Sequence, residues 1–147
     1  MKNILPLLFF MLFINGVNAQ NDSVWHTNFE QAKAIAAKEN KQILVSFSGS
    51  DWCRNCIRLH KQLFSNEAFM KYAKQNLVLV KLDFPMRKKN KLSKEQQAHN
   101  DKLAEKYNKK GVFPLVLIFD GEVKKGSMNT NLPAVQDYID NLKSIAK

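Results

Sequence analysis

Cysteine is scarce in this chain of 147 residues: there are two, Cys53 and Cys56, and neither has another partner to pair with inside the chain. That excludes a disulfide-stapled scaffold and a multi-cysteine zinc framework. A bridge between two cysteines so close in sequence closes a very small loop, so it restricts the unfolded chain little and is a poor staple. Acidic residues are also short, 13 against 23 Lys and Arg, for a formal charge of +10. With no aromatic-studded basic motif, that excess does not read as a nucleic-acid site, and no nucleic acid is expected as a partner. The basic run Arg87-Lys88-Lys89-Asn90-Lys91 reads as a solvated loop that biases the protein toward acidic partners or anionic membrane surfaces. A long membrane-spanning apolar run is missing too. The apolar stretch Ile4 to Ile14 follows Lys2 and precedes Val17-Asn18-Ala19, the layout of a cleavable secretory signal. The expectation is a signal peptide over residues 1–19, a single domain over residues 20–147, and a periplasmic or secreted location. With no cysteine near residue 19, a lipid-modified mature end is excluded.

What is present alternates in period. Val24-Trp25 reads as a short extended start, and Asn28 as an N-cap for a helix carrying Phe29, Ala32, Ile35 and Ala36. Ile43 to Phe47 is a buried strand pattern, followed by the turn-like Ser48-Gly49-Ser50-Asp51-Trp52. A helical stretch follows the cysteines, with a break and new cap at Ser65-Asn66-Glu67. Leu77 to Leu82 is the next strand, and Ser93 to Tyr107 a helix. Leu115 to Phe119 and Glu122 to Lys125 form a hairpin about Asp120-Gly121. Asn131 and Pro133 open a terminal helix with Val135, Tyr138, Ile139 and Leu142. Strands interleaved with helices predict an α/β domain whose central mixed β-sheet is covered on both faces.

The strand that feeds Trp52-Cys53-Arg54-Asn55-Cys56, and the Phe113-Pro114 before the last strand pair, carry a resemblance to the thioredoxin-like superfamily. More closely, Phe47 to Cys53, Val78 to Phe84 and the insertion-bearing stretch Asp83 to Phe113 look like the exported thioredoxin-like proteins of bacteria. The resemblance spans nearly all of the chain after residue 19 and implies a thioredoxin fold and thiol-disulfide oxidoreductase activity. It makes Cys53 the nucleophile, Cys56 the resolving thiol, and Trp52, Phe113 and a cis Pro114 the substrate-binding surface. A cysteine at a helix N-terminus meets unpaired N–H groups that favour its thiolate, and Arg54 adds positive charge beside it. The redox-active disulfide Cys53–Cys56 then needs no other cofactor. Partners are protein thiols and disulfides, with a membrane or soluble thiol donor, and the chain is expected to act as a monomer. The direction favoured is reduction or disulfide repair.

Two departures from thioredoxins proper stand out. Ser46 occupies the place of their buried Asp, and Arg54-Asn55 replaces their Gly-Pro, so their reduction potential does not transfer. Cys53, Cys56 and His60 fall at i, i+3 and i+7, but no fourth ligand is evident and no metal site is assigned; His60 reads as an ordinary helix-face residue. Neither His26 nor His99 sits in a catalytic motif. The connection from Pro85 to about Asn100 is longer than usual and reads as a solvated excursion, the alternative being a segment that covers part of the substrate groove or sets partner choice. The reading from a different class is a thioredoxin-fold binding module, a chaperone or metal carrier that traps a client or ion without turnover.

Overall fold

A computed structural model describes residues 24–146. The signal sequence expected over residues 1–19 lies outside them. Five strands form one sheet in the order β1-β3-β2-β4-β5. They are β1 (Trp25–His26), β2 (Gln42–Ser48), β3 (Leu77–Asp83), β4 (Leu115–Asp120) and β5 (Val123–Ser127). The pairs β1–β3 and β2–β3 are parallel, while β2–β4 and β4–β5 are antiparallel. The sheet is therefore mixed, with the parallel strands joined by helical crossovers.

Strand parity divides the core in two. Ile43, Val45 and Phe47 of β2, with Val78, Val80 and Leu82 of β3, pack against α1 (Phe29–Glu39) and the side of α4 (Lys94–Tyr107) bearing Leu103, Ala104 and Tyr107. Leu44 and Leu79 face the other way, onto α2 (Arg54–Leu59), α3 (Glu67–Asn76) and α5 (Val135–Ala146). A sheet buried on both faces explains why β2 and β3 read as continuous apolar runs rather than alternating ones. Phe29, Tyr107 and Phe119 lock the first layer, with ring centroids 5.1 Å apart for Phe29–Phe119 and 5.0 Å for Tyr107–Phe119.

The helix starts follow local side-chain chemistry. Asn28, Asn66 and Ser93 accept hydrogen bonds from Gln31 N, Ala68 N and Gln96 N, satisfying N–H groups that the first turn leaves open. The segment after the cysteines is not one uniform helix: α2 widens into a π-helical stretch over His60–Phe64 before Ser65 ends it. Two expected boundaries move. The hairpin turns on Gly121-Glu122, with Gly121 at φ 57° and Asp120 opposite Val123, so β5 begins one residue later and runs on to Ser127. The terminal helix begins at Val135, because the Tyr138 hydroxyl donates to Thr130 O and accepts from Leu132 N, holding residues 130–132 as a loop against it.

The stretch from Pro85 to Asn100 is exposed over residues 86–91, as a solvated excursion would be, but its far end is anchored. Its second half is the start of α4, and three polar side chains fasten it to the body. Asn100, 1 % exposed, donates to Asp83 O at 2.8 Å, Gln96 donates to Thr27 O at 2.9 Å, and His99 Nε2 accepts from Phe29 N at 3.2 Å. These groups supply partners that the apolar pattern of the sequence does not register.

Candidate active site

Strand β2 ends at Ser48, and the chain turns over Gly49 to Trp52 to reach the cysteines. The turn is closed by Gly49 O, which accepts from Trp52 N at 3.3 Å and Cys53 N at 2.9 Å. Glycine is required here by space: a Cβ at position 49 would overlap the Trp52 indole. Cys53 is the N-cap of α2 in extended backbone, and its Sγ accepts from Cys56 N at 3.2 Å. A sulfur in that position receives the N–H dipoles of the first turn, which stabilise negative charge on it. Cys53 and Cys56 are joined as a disulfide with Cα atoms 5.2 Å apart. Both residues are largely covered, 7 % and 4 % exposed, whereas Arg54 and Asn55 between them are exposed. The pair is thus more enclosed than a Cys-Arg-Asn-Cys turn suggests.

The peptide bond Phe113–Pro114 is cis, in agreement with the resemblance. Pro114 lines the same cleft as Cys56, a depression of about 250 Å³ that also holds Trp25, Ile57, Phe64 and His60. Aromatic contacts join this loop to the cysteine turn. Trp52 meets Phe113 edge to face at 5.4 Å, Phe113 meets Phe84 at 5.4 Å, and Phe84 stacks on the buried Phe47 at 6.4 Å. Trp52 Nε1 also donates to Phe84 O at 2.7 Å, while the residue stays 43 % exposed. The proposed substrate-side residues Trp52, Phe113 and Pro114 are therefore contiguous with the disulfide.

The floor of the cleft shows what replaces the missing acid. Ser46 is 3 % exposed and pairs in register with Lys81 of β3. Strand parity turns both toward α2, where they line the cleft together with Ser48 and Cys56. Among the described residues no carboxylate lines it, and the charged groups are Lys81 and Lys61. His60, on the wall, has its pKa held below the ordinary 6.5 by burial and, secondarily, by the charge of Lys81. His60 is thus part of the site's surroundings rather than an isolated helix-face residue.

Three residues at the site escaped the reading of the sequence: Asp51, Lys81 and Phe84. Asp51 accepts from Met86 N at 3.0 Å, Arg87 N at 3.0 Å and Asn90 Nδ2 at 2.9 Å. The Met86 N–H is the main cause holding its carboxyl below the usual 3.8, with Asn90 and Arg87 adding to it. Ser50, one residue earlier, donates through N at 2.9 Å and through Oγ at 2.5 Å to Asp83 at the end of β3. The turn before Cys53 is thereby clamped to the segment after β3 by two consecutive residues. Spacing could not announce this, because the donors to Asp51 lie 35 to 39 residues further along the chain.

Comparison with known proteins agrees with this architecture. A family model described as thioredoxin-like matches residues 24–121. The disulfide bond reductase DsbH of Chlamydia pneumoniae is 31 % identical over 121 residues, covering 82 % of this chain and 71 % of that protein. A solved DsbH oxidoreductase superposes with a TM-score of 0.75 at 29 % identity, covering 82 % of each chain. A thioredoxin from Thermus thermophilus superposes at 0.62 with 15 % identity, covering 83 % of this chain and 85 % of that one, a likeness of fold. With the matched region extending from β1 to the turn after β4, and the cysteine pair and cis proline within it, the chain belongs to the thioredoxin-like family.

Proposed function

We propose that this protein is an exported thiol-disulfide oxidoreductase that reduces disulfides in other proteins. The observation that carries the reading is the placement of Cys53. Its sulfur caps α2, receives the Cys56 N–H, and is bonded to Cys56, which lines one cleft with the cis Pro114. In the reduced protein the Cys53 thiolate attacks one sulfur of a partner disulfide, forming a Cys53–partner disulfide, and the displaced partner sulfur leaves as a thiolate that takes up a proton. Cys56 then loses its proton and attacks the Cys53 sulfur, expelling the second partner thiol. The protein ends as the Cys53–Cys56 disulfide, and two electrons have passed to the partner. A dithiol donor, membrane-bound or soluble, returns the pair to the reduced state. Trp52, Phe113 and Pro114 present surface and backbone to the partner chain, and Arg54 favours the thiolate by its charge. The reductive direction is supported by the likeness to a disulfide bond reductase. Export is supported by the sequence pattern over residues 1–19.

Reduction of insulin with dithiothreitol as donor tests the reading. Cys53→Ser is expected to fall to the uncatalysed rate, and Cys56→Ser to accumulate a mixed disulfide visible by mass spectrometry. Equal rates for wild type and Cys53→Ser would leave a non-catalytic binding module instead.

A further inference from the structure

Large apolar side chains that stay exposed are few among the described residues, and four of the six cluster on the segments around the cysteine pair: Trp52, Ile57, Met86 and Val112. Met86 is 74 % exposed, yet its backbone is pinned to Asp51, one residue before Trp52. Val112 is 48 % exposed and is held by Asn108, whose side chain bonds both its N–H and its carbonyl at 2.9 Å. These side chains are thus presented on braced backbone rather than on loose loops, at the margin of a disulfide-exchanging site. An exposed apolar cluster of this kind marks a contact surface.

The charge around it has one sign. No Asp or Glu lies between Phe84 and Ser93, or between Asn108 and Pro114, while those two stretches carry Arg87, Lys88, Lys89, Lys91, Lys109 and Lys110. All six are exposed. Two carboxylates beside the cysteine turn are turned inward, Asp51 onto the Met86, Arg87 and Asn90 donors and Asp83 onto Ser50, while Glu95 is exposed in the first turn of α4. The ion pairs among the described residues lie elsewhere, at Lys33 with Glu30 and Glu122, Lys41 with Glu39, and Lys143 with Asp140. The acids beside the site thus brace the basic segment and leave its lysines unneutralised.

From this we infer that the 84–92 segment, latched by Asp51 and joined to the Val112 loop through the Phe84–Phe113 ring contact, is a docking surface for substrate polypeptides whose reducible disulfide is flanked by acidic residues and an apolar side chain. The apolar residue covers Met86 and Trp52, and the flanking carboxylates meet Lys88, Lys89 and Lys91. Steering of this type acts on the encounter rate and weakens with salt. The inference rests on the oxidoreductase reading and adds the class of substrate to it.

The test uses the reduced full domain and two peptides with the same cyclic disulfide and an adjacent Leu, one flanked by Glu and one by Lys. Second-order rate constants are read from the conversion of the protein's own Cys53 and Cys56 thiols to the disulfide, by acid quench, alkylation and mass spectrometry of the protein, with neutral 4,4′-dithiodipyridine as a charge-free reference. The wild type is expected to favour the acidic peptide by about 10-fold at low ionic strength, a preference that shrinks at about 0.5 M salt. In Lys88→Glu/Lys89→Glu the ratio falls to about one or inverts, while Lys124→Glu/Lys125→Glu, an equal charge change on exposed β5, retains it. A wild-type ratio near one with normal reduction of dithiodipyridine overturns the proposal alone. Failure to reduce dithiodipyridine or either peptide overturns the oxidoreductase reading and this proposal with it. Should the Lys88/Lys89 reversal leave the ratio unchanged but abolish sedimentation with anionic phospholipid vesicles, the segment is a membrane contact and the proposal is wrong.

Discussion

Asp51 shows how one side chain can join two distant stretches of chain without entering the chemistry. Its carboxylate receives two main-chain N–H groups and one amide from the 86–90 turn, and each stabilises the ionised form. The folded protein therefore holds this proton less tightly than the unfolded chain does, with the folded pKa below the ordinary 3.8. The stabilisation is present in full above the unfolded value and is lost as pH falls through the folded one. Titration from about pH 6 to about pH 2, followed by the amide shifts of Met86 and Arg87, is expected to give a common midpoint below 3.8. Asp51→Asn should remove that midpoint from both amides. A midpoint at or above the ordinary carboxylate value would mean that the latch is not made in solution.

At the scale of elements, the pairing of β2 with β3 delivers Lys81 to the cleft that Cys56 lines. Seven consecutive residues of each strand pair in register, so that Ser46 meets Lys81 and both share the face toward α2. Cys56 must become a thiolate before it can free the partner from Cys53, and a cation in the cleft favours that charge, whereas no carboxylate there opposes it. Lys81→Met is expected to slow the resolving step about 3- to 10-fold, read as longer-lived mixed disulfide in single-turnover quench experiments, with Lys81→Arg restoring it. Unchanged lifetimes in Lys81→Met would remove the cation from the resolving step. The elements themselves were largely legible in the sequence, because Asn28, Asn66 and Ser93 announce helix starts and apolar runs announce β2, β3 and β4. The cysteine pair was legible for the same local reason, whereas Pro114 was legible only through the family resemblance, since few X–Pro bonds are cis. Lys81 was not, since a lysine inside an apolar strand reads as a surface break until the register says which face it shares. Asp51 was hidden likewise, by donors that only the tertiary fold brings near.

Across the whole molecule, the redox site rests on a sheet clamped between two apolar layers, and the layers meet the site differently. The α2 layer carries the cysteines themselves, while the α1–α4 layer reaches the site through the rings of Phe47, Phe84 and Phe113 to Trp52 and through Asn100 to Asp83. Phe119 belongs to the second layer, 1 % exposed and edge-packed on Phe29 and Tyr107, with no ring contact to that aromatic path. Truncating it removes a large buried ring from a layer with little room to collapse, because Tyr107 and Phe29 are themselves fixed by helices on the same face. Phe119→Ala is expected to cost about 3–5 kcal/mol, a large share of the roughly 5–15 kcal/mol typical of a domain. With a urea slope of about 2 kcal/mol per M, the unfolding midpoint drops by about 2 M. Val123→Ala on the 64 % exposed β5 position should change stability by less than about 0.5 kcal/mol. Thiol exchange by the folded fraction of Phe119→Ala, measured well below its midpoint, should stay near wild type, because the cysteine turn is braced from Asp83, Phe84 and Met86 rather than from β4. A stable Phe119→Ala protein would contradict the close packing of this layer, and a stable but inactive one would mean that the layer positions the cysteines after all.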